Sequence, residues 1–513
     1  MKKTEILVLD FGSQYTQLLA RRIRECEVLA EVVNLNISVA KIKTYQDLKG
    51  IILSGGPSSV YETDAYKIDQ GIFELGIPIL GVCYGMQLMV HEFGGVVELA
   101  DAQEFGKATI TISNNKSLLF KNITKETTVW MSHADHVTTV PDGFIVEAQS
   151  DNSIAAIANQ EKKLYGIQFH PEVTHSIDGG KMIQNFLFEV CQCEATWKIS
   201  NFITEAVNEI KKTVGQDEVI LGLSGGVDSS VAAALISKAI GKQLTCIFVD
   251  TGLLRKDEGK KVLAAYQKNF ELNIKMVAAQ DQFYTSLKGY CDPEDKRKII
   301  GREFVNVFAN EAKQMQAAKF LAQGTIYPDV IESSSDGHTS KTIKSHHNVG
   351  GLPKDLNFTL LEPLRTLFKD EVRKVGLELG LPPEMVYRHP FPGPGLGIRV
   401  IEEVTKEKCD ILREADDIFI SELYRENLYN DVSQAFVTLL PTKTVGVMGD
   451  NRTYDYVAAI RCVNTIDFMT ATATHLPWDF LDRVTNRIIN EVDGINRVVY
   501  DITSKPPGTI EWE

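Results

Sequence analysis

Apolar residues come in short bursts along this chain, and the spacing between bursts divides it into segments. The run TEILVLDFG is a strand-length apolar stretch. It is followed by SQYTQLLARRIRE, which reads as helix. KGIILSGGP and IPILGVCYG repeat the strand pattern, with a polar, helix-compatible stretch between them. Continuous apolar strands alternating with helices predict a parallel sheet covered on both faces. Near residue 190 the text turns helical (TWKISNFITEAVNEIKKTVG), and a second alternation starts: strand EVILGL, helix SSVAAALISKAIG, strand QLTCIFVD, helix EGKKVLAAYQKNF, strand NIKMVAA. HPFPGPGLGIRV then places three Pro and three Gly in twelve residues, too many for the interior of any element. Beyond it, LPWDFLDRVTNRIINEV reads as helix and NRVVYDIT as strand, without regular alternation. The expected fold class is α/β: two doubly wound, mainly parallel-sheet domains over residues 1–194 and 195–388, followed by a smaller α+β C-terminal domain over 389–513.

Composition narrows the class. A chain of 513 residues suggests about three domains, and 44% hydrophobic with 24% charged residues is ordinary for a globular protein, excluding collagen, coiled coil and wholesale disorder. The net charge of −14 argues against a nucleic-acid partner, which needs a basic footprint. Small anionic substrates remain open to it wherever a few cations are placed locally. Lys2 and Lys3 before an apolar run resemble a signal peptide, but Asp10 and the missing small-residue cleavage site end that resemblance. No stretch approaches the roughly 18 apolar residues of a membrane-spanning helix, so no membrane association is expected. Eight scattered cysteines show no disulfide spacing, so the expected location is the cytoplasm.

Two loops carry chemistry. Gly81-Val82-Cys83-Tyr84-Gly85 joins a strand to a helix and is the cysteine form of G-x-S-x-G, in which small residues permit the sharp turn that exposes a nucleophile. The helix that follows aims its positive end at the sulfur and favours thiolate. YGIQFHPEVTH, read as strand, puts His170 and Glu172 on one face, so that Glu172 orients His170 as base for Cys83. In LSGGPSSV, Gly55 and Gly56 leave backbone N–H groups open to an oxyanion. GGP, GxCxG and HPE in this order resemble the class I glutamine amidotransferases over residues 5–193. That resemblance implies that Cys83 attacks the glutamine amide to give a thioester and ammonia, that His170 carries the proton and Glu172 holds the imidazole, and that the Gly56 and Tyr84 N–H groups form the oxyanion hole.

The second loop, Ser224-Gly225-Gly226-Val227-Asp228-Ser229-Ser230, also lies between a strand and a helix, where glycines let backbone curl round an anion. The chain has no G-x4-G-K-[ST], so this is not the Walker arrangement. SGGVDS resembles the phosphate loop of the N-type ATP pyrophosphatases, which grips the β,γ-phosphates while ATP splits between α and β. The resemblance implies ATP as substrate and Mg²⁺ as its cofactor, with Asp228 helping to hold the metal; Mg²⁺ suits carboxylate, water and phosphate oxygens. Val249-Asp250-Thr251-Gly252 ends the next strand on the same edge and is expected to meet the adenosine.

The acceptor is named by resemblance at the tail. SKPPGTIEWE closely resembles the C-terminus of the GMP synthetase family, as do PEDKRKIIGREF, KSHHNVGGLP, HPFPGPGLGIRV and VGVMGDNRTYDYV, so the likeness covers essentially the whole chain. It implies ATP-dependent amination of xanthosine monophosphate (XMP) by glutamine-derived ammonia, through an adenylyl-XMP intermediate. Arg297, Gln434, Asp450, Lys505 and Glu511 are implied as XMP contacts, Lys341 and Lys344 resemble a loop closing over the nucleotide, and a homodimer through the C-terminal domain is implied. Glutamine-dependent NAD synthetase, which shares the second loop but not this tail, and a non-catalytic nucleotide-sensing paralogue are the competing readings. Cys191-x-Cys193 and His133-Ala-Asp-His136 lack a full ligand set and are assigned no metal. The family resemblance places SHADHV on a surface loop. His346 and His347 are read as either substrate contacts or bland exposed residues.

Overall fold

The computed structural model describes residues 3–513 apart from 64, 115, 271, 316, 335–357, 466–467 and 469. The chain divides into two compact units, Met1–Asn201 and Phe202–Glu513.

The first unit is built on nine strands: β1 (Ile6–Asp10), β2 (Ala30–Asn34), β3 (Gly50–Leu53), β4 (Ile79–Val82), β5 (Val96–Ile112), β6 (Glu126–Thr139), β7 (Ile145–Gln149), β8 (Ile154–Asn159) and β9 (Leu164–Ile167). They form one sheet in the order β2-β1-β3-β4-β9-β8-β7-β5-β6. The first five are mutually parallel; β8, β7, β5 and β6 continue the sheet antiparallel. β3 and β4 are buried at every residue, as strands covered on both faces must be. The carboxyl ends of β3, β4 and β9 are neighbours, so Gly55, Cys83 and His170, far apart in sequence, leave the sheet along one edge.

Two local expectations are corrected here. His170 and Glu172 do not lie on a strand: β9 ends at Ile167 and the HPE triplet forms a turn beyond it. Pro171 has no N–H to give to a ladder. SHADHV is not a surface loop but lies inside β6, with His133 and Asp135 buried on alternate positions. The sequence SHADHV alternates outward and inward positions, which a paired strand satisfies and a loop does not need.

The second unit holds two sheets. Strands β10 (Glu218–Gly222), β11 (Leu244–Asp250), β12 (Asn273–Ala278), β13 (Ala318–Ala322) and β14 (Thr359–Leu361) form an all-parallel sheet in the order β12-β11-β10-β13-β14. The order reverses between β10 and β13, which creates a ligand crevice at their carboxyl ends. A long antiparallel hairpin, β15 (Gln434–Met448) and β16 (Asn451–Asn464), is joined by β17 (Thr472–Ala473) and, parallel to β16, by β18 (Ile495–Asp501). The expected boundary at 388/389 falls inside a continuous core, running from Ile220 and Val249 through Leu396 and Val400 to Leu412, Val437, Ile460 and Val484. HPFPGPGLGIRV is part of that core: a Cβ on Gly395 would overlap the Leu253 carbonyl oxygen.

Candidate active sites

At the end of β4 the chain turns through Cys83 with φ +52° and ψ −108°, then enters the helix Tyr84–Glu92. A non-glycine residue holds positive φ only when its surroundings enforce it. Here the Cys83 N–H donates to Ile167 O at 2.8 Å and the Gly85 N–H to Ser54 O at 3.1 Å, fixing the turn from both neighbouring strands. The glycines allow this approach. A Cβ on Gly85 would overlap Leu53 O, and one on Gly81 would lie 2.5 Å from Gly85 O.

Cys83 is 6% exposed, and it touches a hydrogen-bonded set that encloses it. His170 Nδ1 and Glu172 Oε1 are 2.8 Å apart, both side chains buried. Burial works against a charged imidazole, but the Glu172 carboxylate and the hydrogen bond to Cys83 outweigh it and hold His170 well above the ordinary histidine range. Glu172 is anchored through its carbonyl by Arg22 Nε at 3.0 Å, and His170 through its carbonyl by Ser176 Oγ at 2.6 Å. The Tyr15 ring meets the imidazole edge-on at 4.9 Å, and a Cβ on Gly55 would lie 3.1 Å from His170 Cε1, so glycine lets the imidazole reach this edge. Among the described residues the Gly56 and Tyr84 N–H groups donate to nothing else, which leaves them for an oxyanion. Four participants carried no motif of their own: Tyr15, Arg22, Gln87 and Gln168.

At the crevice of the second unit, β10 leads through Ser224, Gly225 (φ +73°) and Gly226 into the helix Val227–Ile240. The Ser224, Ser229 and Ser230 hydroxyls tie the loop to itself: Ser224 Oγ lies 3.0 Å from Ser229 Oγ and accepts from Gly226 N at 3.3 Å, while Ser229 and Ser230 donate to Gly226 O at 3.0 and 2.7 Å. The N–H groups of Gly225, Val227 and Asp228 are unspent among the described residues. Two cations flank the loop in this acidic chain. Lys369 Nζ holds both Asp228 carboxylate oxygens at 2.8 and 2.7 Å, and Arg388 donates to Gly225 O at 2.5 Å while paired with Glu258. On the neighbouring edge Asp250 caps its own turn through Gly252 N and accepts from Gln280, and Arg413 donates to Gly252 O.

The residues implied for XMP only partly converge. Gln434 Nε2 donates to Glu511 Oε1 at 2.7 Å, and the same carboxylate is held by Arg399, fully buried and stacked over Phe436 at 4.1 Å. Arg297 donates to Glu513 O at 2.5 Å, and Lys296 pairs with the Glu513 carboxylate. Lys505 donates to Phe468 O at 2.6 Å and bridges Ala471, at the end of the sheet where Gln434 faces Val463. Asp450 does not join them within one chain: it lies at the tip of the β15–β16 hairpin, roughly 40 Å of strand from Gln434. Lys341, Lys344, His346 and His347 lie outside the described residues. Among the described residues no group of three or more His, Cys, Asp or Glu side chains is placed to hold a metal, and no helix is long and apolar enough to cross a membrane.

Comparison with known proteins matches three stretches of the chain to families and the whole chain to named relatives. Residues 7–190 match the family described as glutamine amidotransferase class-I, residues 196–314 the NAD synthase family, and residues 421–512 the GMP synthase C terminal domain. Over its whole length the chain is 68% identical to a protein of Mesoplasma florum and 64% identical to one of Fusobacterium nucleatum subsp. nucleatum, covering 100% of each. It is 59% identical to one of Spiroplasma kunkelii, again covering 100% of both. All three relatives are named GMP synthase (glutamine-hydrolyzing).

Proposed function

The chain belongs to the glutamine-hydrolysing GMP synthase family, and from that premise we propose how its residues divide the work of ATP-dependent amination of XMP to GMP. Full-length identity to GMP synthases excludes the NAD synthetase reading, whose likeness here stops at residue 314.

In the first unit Cys83 is the nucleophile. Its sulfur attacks the glutamine amide carbonyl, the Gly56 and Tyr84 N–H groups take the oxyanion, and His170, held by Glu172, gives its proton to the departing ammonia. In the second unit the Ser224–Ser230 loop holds the β,γ-phosphates at the helix start, with Lys369 and Arg388 offsetting their charge. Transfer of AMP to xanthine O2 turns a poor leaving group into a good one, and ammonia displaces it. Arg297, Gln434, Lys505 and Glu511 hold XMP.

The site suits Mg²⁺: Asp228 is a partly exposed carboxylate beside unspent N–H groups, and one carboxylate is what this cation takes from protein when phosphates and water supply the rest. When bound, Mg²⁺ neutralises charge on the leaving pyrophosphate. Asp228 would hold the cation, and Lys369, which pairs with that carboxylate here, would lie within reach of the phosphates. Dimerisation is supported by the exposed face of the hairpin, where Val445, Val447 and Tyr454 lie side by side. Eight free thiols and soluble substrates fit the cytoplasm.

The observation that carries the glutaminase assignment is the strained Cys83 elbow facing the His170–Glu172 pair. In Cys83→Ala, glutamine-dependent GMP formation is expected to fall at least 10³-fold, as for loss of a nucleophile acting in a unit. Ammonia-dependent formation persists, with AMP, pyrophosphate and GMP released in equal amounts. Glutamate release by Cys83→Ala would overturn the assignment.

A further inference from the structure

Behind the nucleophile, two buried amides stand in line. Gln168 Nε2 lies 3.7 Å from Cys83 Sγ, Gln168 Oε1 accepts from Gln87 Nε2 at 3.2 Å, and Gln87 Nε2 also donates to Asp135 O at 3.0 Å. Gln168 is fully buried and Gln87 3% exposed. The orientation of both amides follows from one fixed point. Asp135 O is a backbone carbonyl and only accepts, so Gln87 must turn its NH₂ towards it. That NH₂ also faces Gln168, which must answer with its oxygen, and the Gln168 NH₂ is left facing the sulfur. Asp135 O is itself held on its other side by His133 Nδ1 at 2.9 Å, in the buried interior of β6.

The sulfur also meets Ser132 O at 3.8 Å and the His170 imidazole, which hydrogen-bonds it and lies against Glu172. The Ser132 carbonyl and the Gln168 amide act on it in opposite senses. The Ser132 carbonyl accepts from S–H and favours the thiol; the Gln168 N–H donates to sulfur and favours the thiolate, the stronger acceptor. Because Gln87 opposes the flip that would present the Gln168 oxygen, the Gln168 donor is the group aimed at sulfur.

We propose that Gln168 is a positioning and charge-stabilising residue for glutamine hydrolysis: its side-chain N–H, locked by Gln87 and the Asp135 carbonyl, donates to the Cys83 thiolate. This rests on Cys83 being the nucleophile. The same donor is available again when water, giving a proton to His170, attacks the thioester carbonyl and the sulfur departs as thiolate with the electron pair of the C–S bond.

The test uses the full-length enzyme and iodoacetamide as a probe of thiolate. Gln168→Met fills the same volume without a donor. Its Cys83 alkylation rate at neutral pH is expected to fall roughly tenfold, the loss of one charge-assisted hydrogen bond, and the alkylation–pH profile to move about one unit upward. Glutaminase kcat falls with it, while KM for glutamine stays within about twofold. Gln168→Glu keeps the acceptor for Gln87 but presents oxygen to sulfur, and is expected to be slower still; it serves if the methionine variant does not fold. Ammonia-dependent GMP formation is the folding check. An alkylation profile superimposable on the parent's in either folded variant overturns the proposal, and a raised KM with that unchanged profile makes Gln168 a substrate contact instead. Failure of the underlying reading looks different: iodoacetamide would then leave glutaminase activity intact in the parent.

Discussion

His389 shows how burial sets chemistry one residue at a time. Its ring stacks on Tyr429 at 3.8 Å, and its Nε2 lies 2.8 Å from Tyr429 O. Burial, reinforced by the charges of Arg255 and Arg399, pushes the imidazole down to about 4 from an ordinary 6.5. The folded state therefore refuses a proton that the unfolded chain accepts. The His389 contribution to stability is present in full above pH 6.5 and is lost as pH falls towards 4, up to about 3 kcal/mol. In His389→Gln, which keeps a donor for Tyr429 O and does not titrate, denaturant unfolding of the second unit is expected to show a flatter pH dependence between 6.5 and 4; an unchanged slope would show that other groups dominate. Single residues were also the least legible in the sequence. Lys369 is 141 positions from Asp228, and Arg399 is 112 from Glu511. A charged letter does not reveal that its guanidinium is buried between aromatic rings. Cys83, His170 and the SGGVDS loop stand out in the sequence because the motifs that carry them, GxCxG, HPE and SGGVDS, each span only a few positions.

At the level of elements, strands and helices in both parallel sheets follow the apolar periodicity closely, because a strand buried on both faces has no polar position to blur the signal. Elements were misread where tertiary contact decides. The HPE triplet keeps its hydrogen bond from a turn rather than a strand, and SHADHV becomes buried strand because β5 pairs with it. The nucleophile elbow depends on how near the helix Tyr84–Glu92 comes to β3 and β4. Gly85→Ala places a methyl against Leu53 O, so it is expected to destabilise the first unit by about 1–3 kcal/mol, the usual penalty of overpacking. Glutaminase activity should fall more than stability, since the helix carrying Tyr84 N–H must shift. Thermal unfolding and glutamate release measured together check this, and an alanine variant of parental stability would show that the elbow has slack.

For the whole molecule, two units with separate cores imply two unfolding events. Calorimetry is expected to resolve them, a glutamine analogue raising only one transition and ATP only the other; a single transition raised by either ligand would contradict this. The change of pattern near residue 195 lies a few positions before the division between the units at 201/202. The continuity of core across 388/389 is not visible in the pattern, since HPFPGPGLGIRV is dense in proline and glycine although Gly395 and Gly397 pack against Leu253 and Ile300. The tail shows the same long reach. Residues 509–513 are gripped by Arg461, Arg399, Lys296 and Arg297, side chains that precede them by up to 217 positions. During synthesis, at about 5–20 residues per second, every residue of the ammonia-producing half leaves the ribosome well before the last strap of the acceptor half exists. If Cys83 acts as proposed, the growing chain passes through a stage in which the first unit is complete and nothing yet receives its ammonia, and any coupling that keeps that site idle until XMP is activated would spare the cell's glutamine from its own unfinished enzyme.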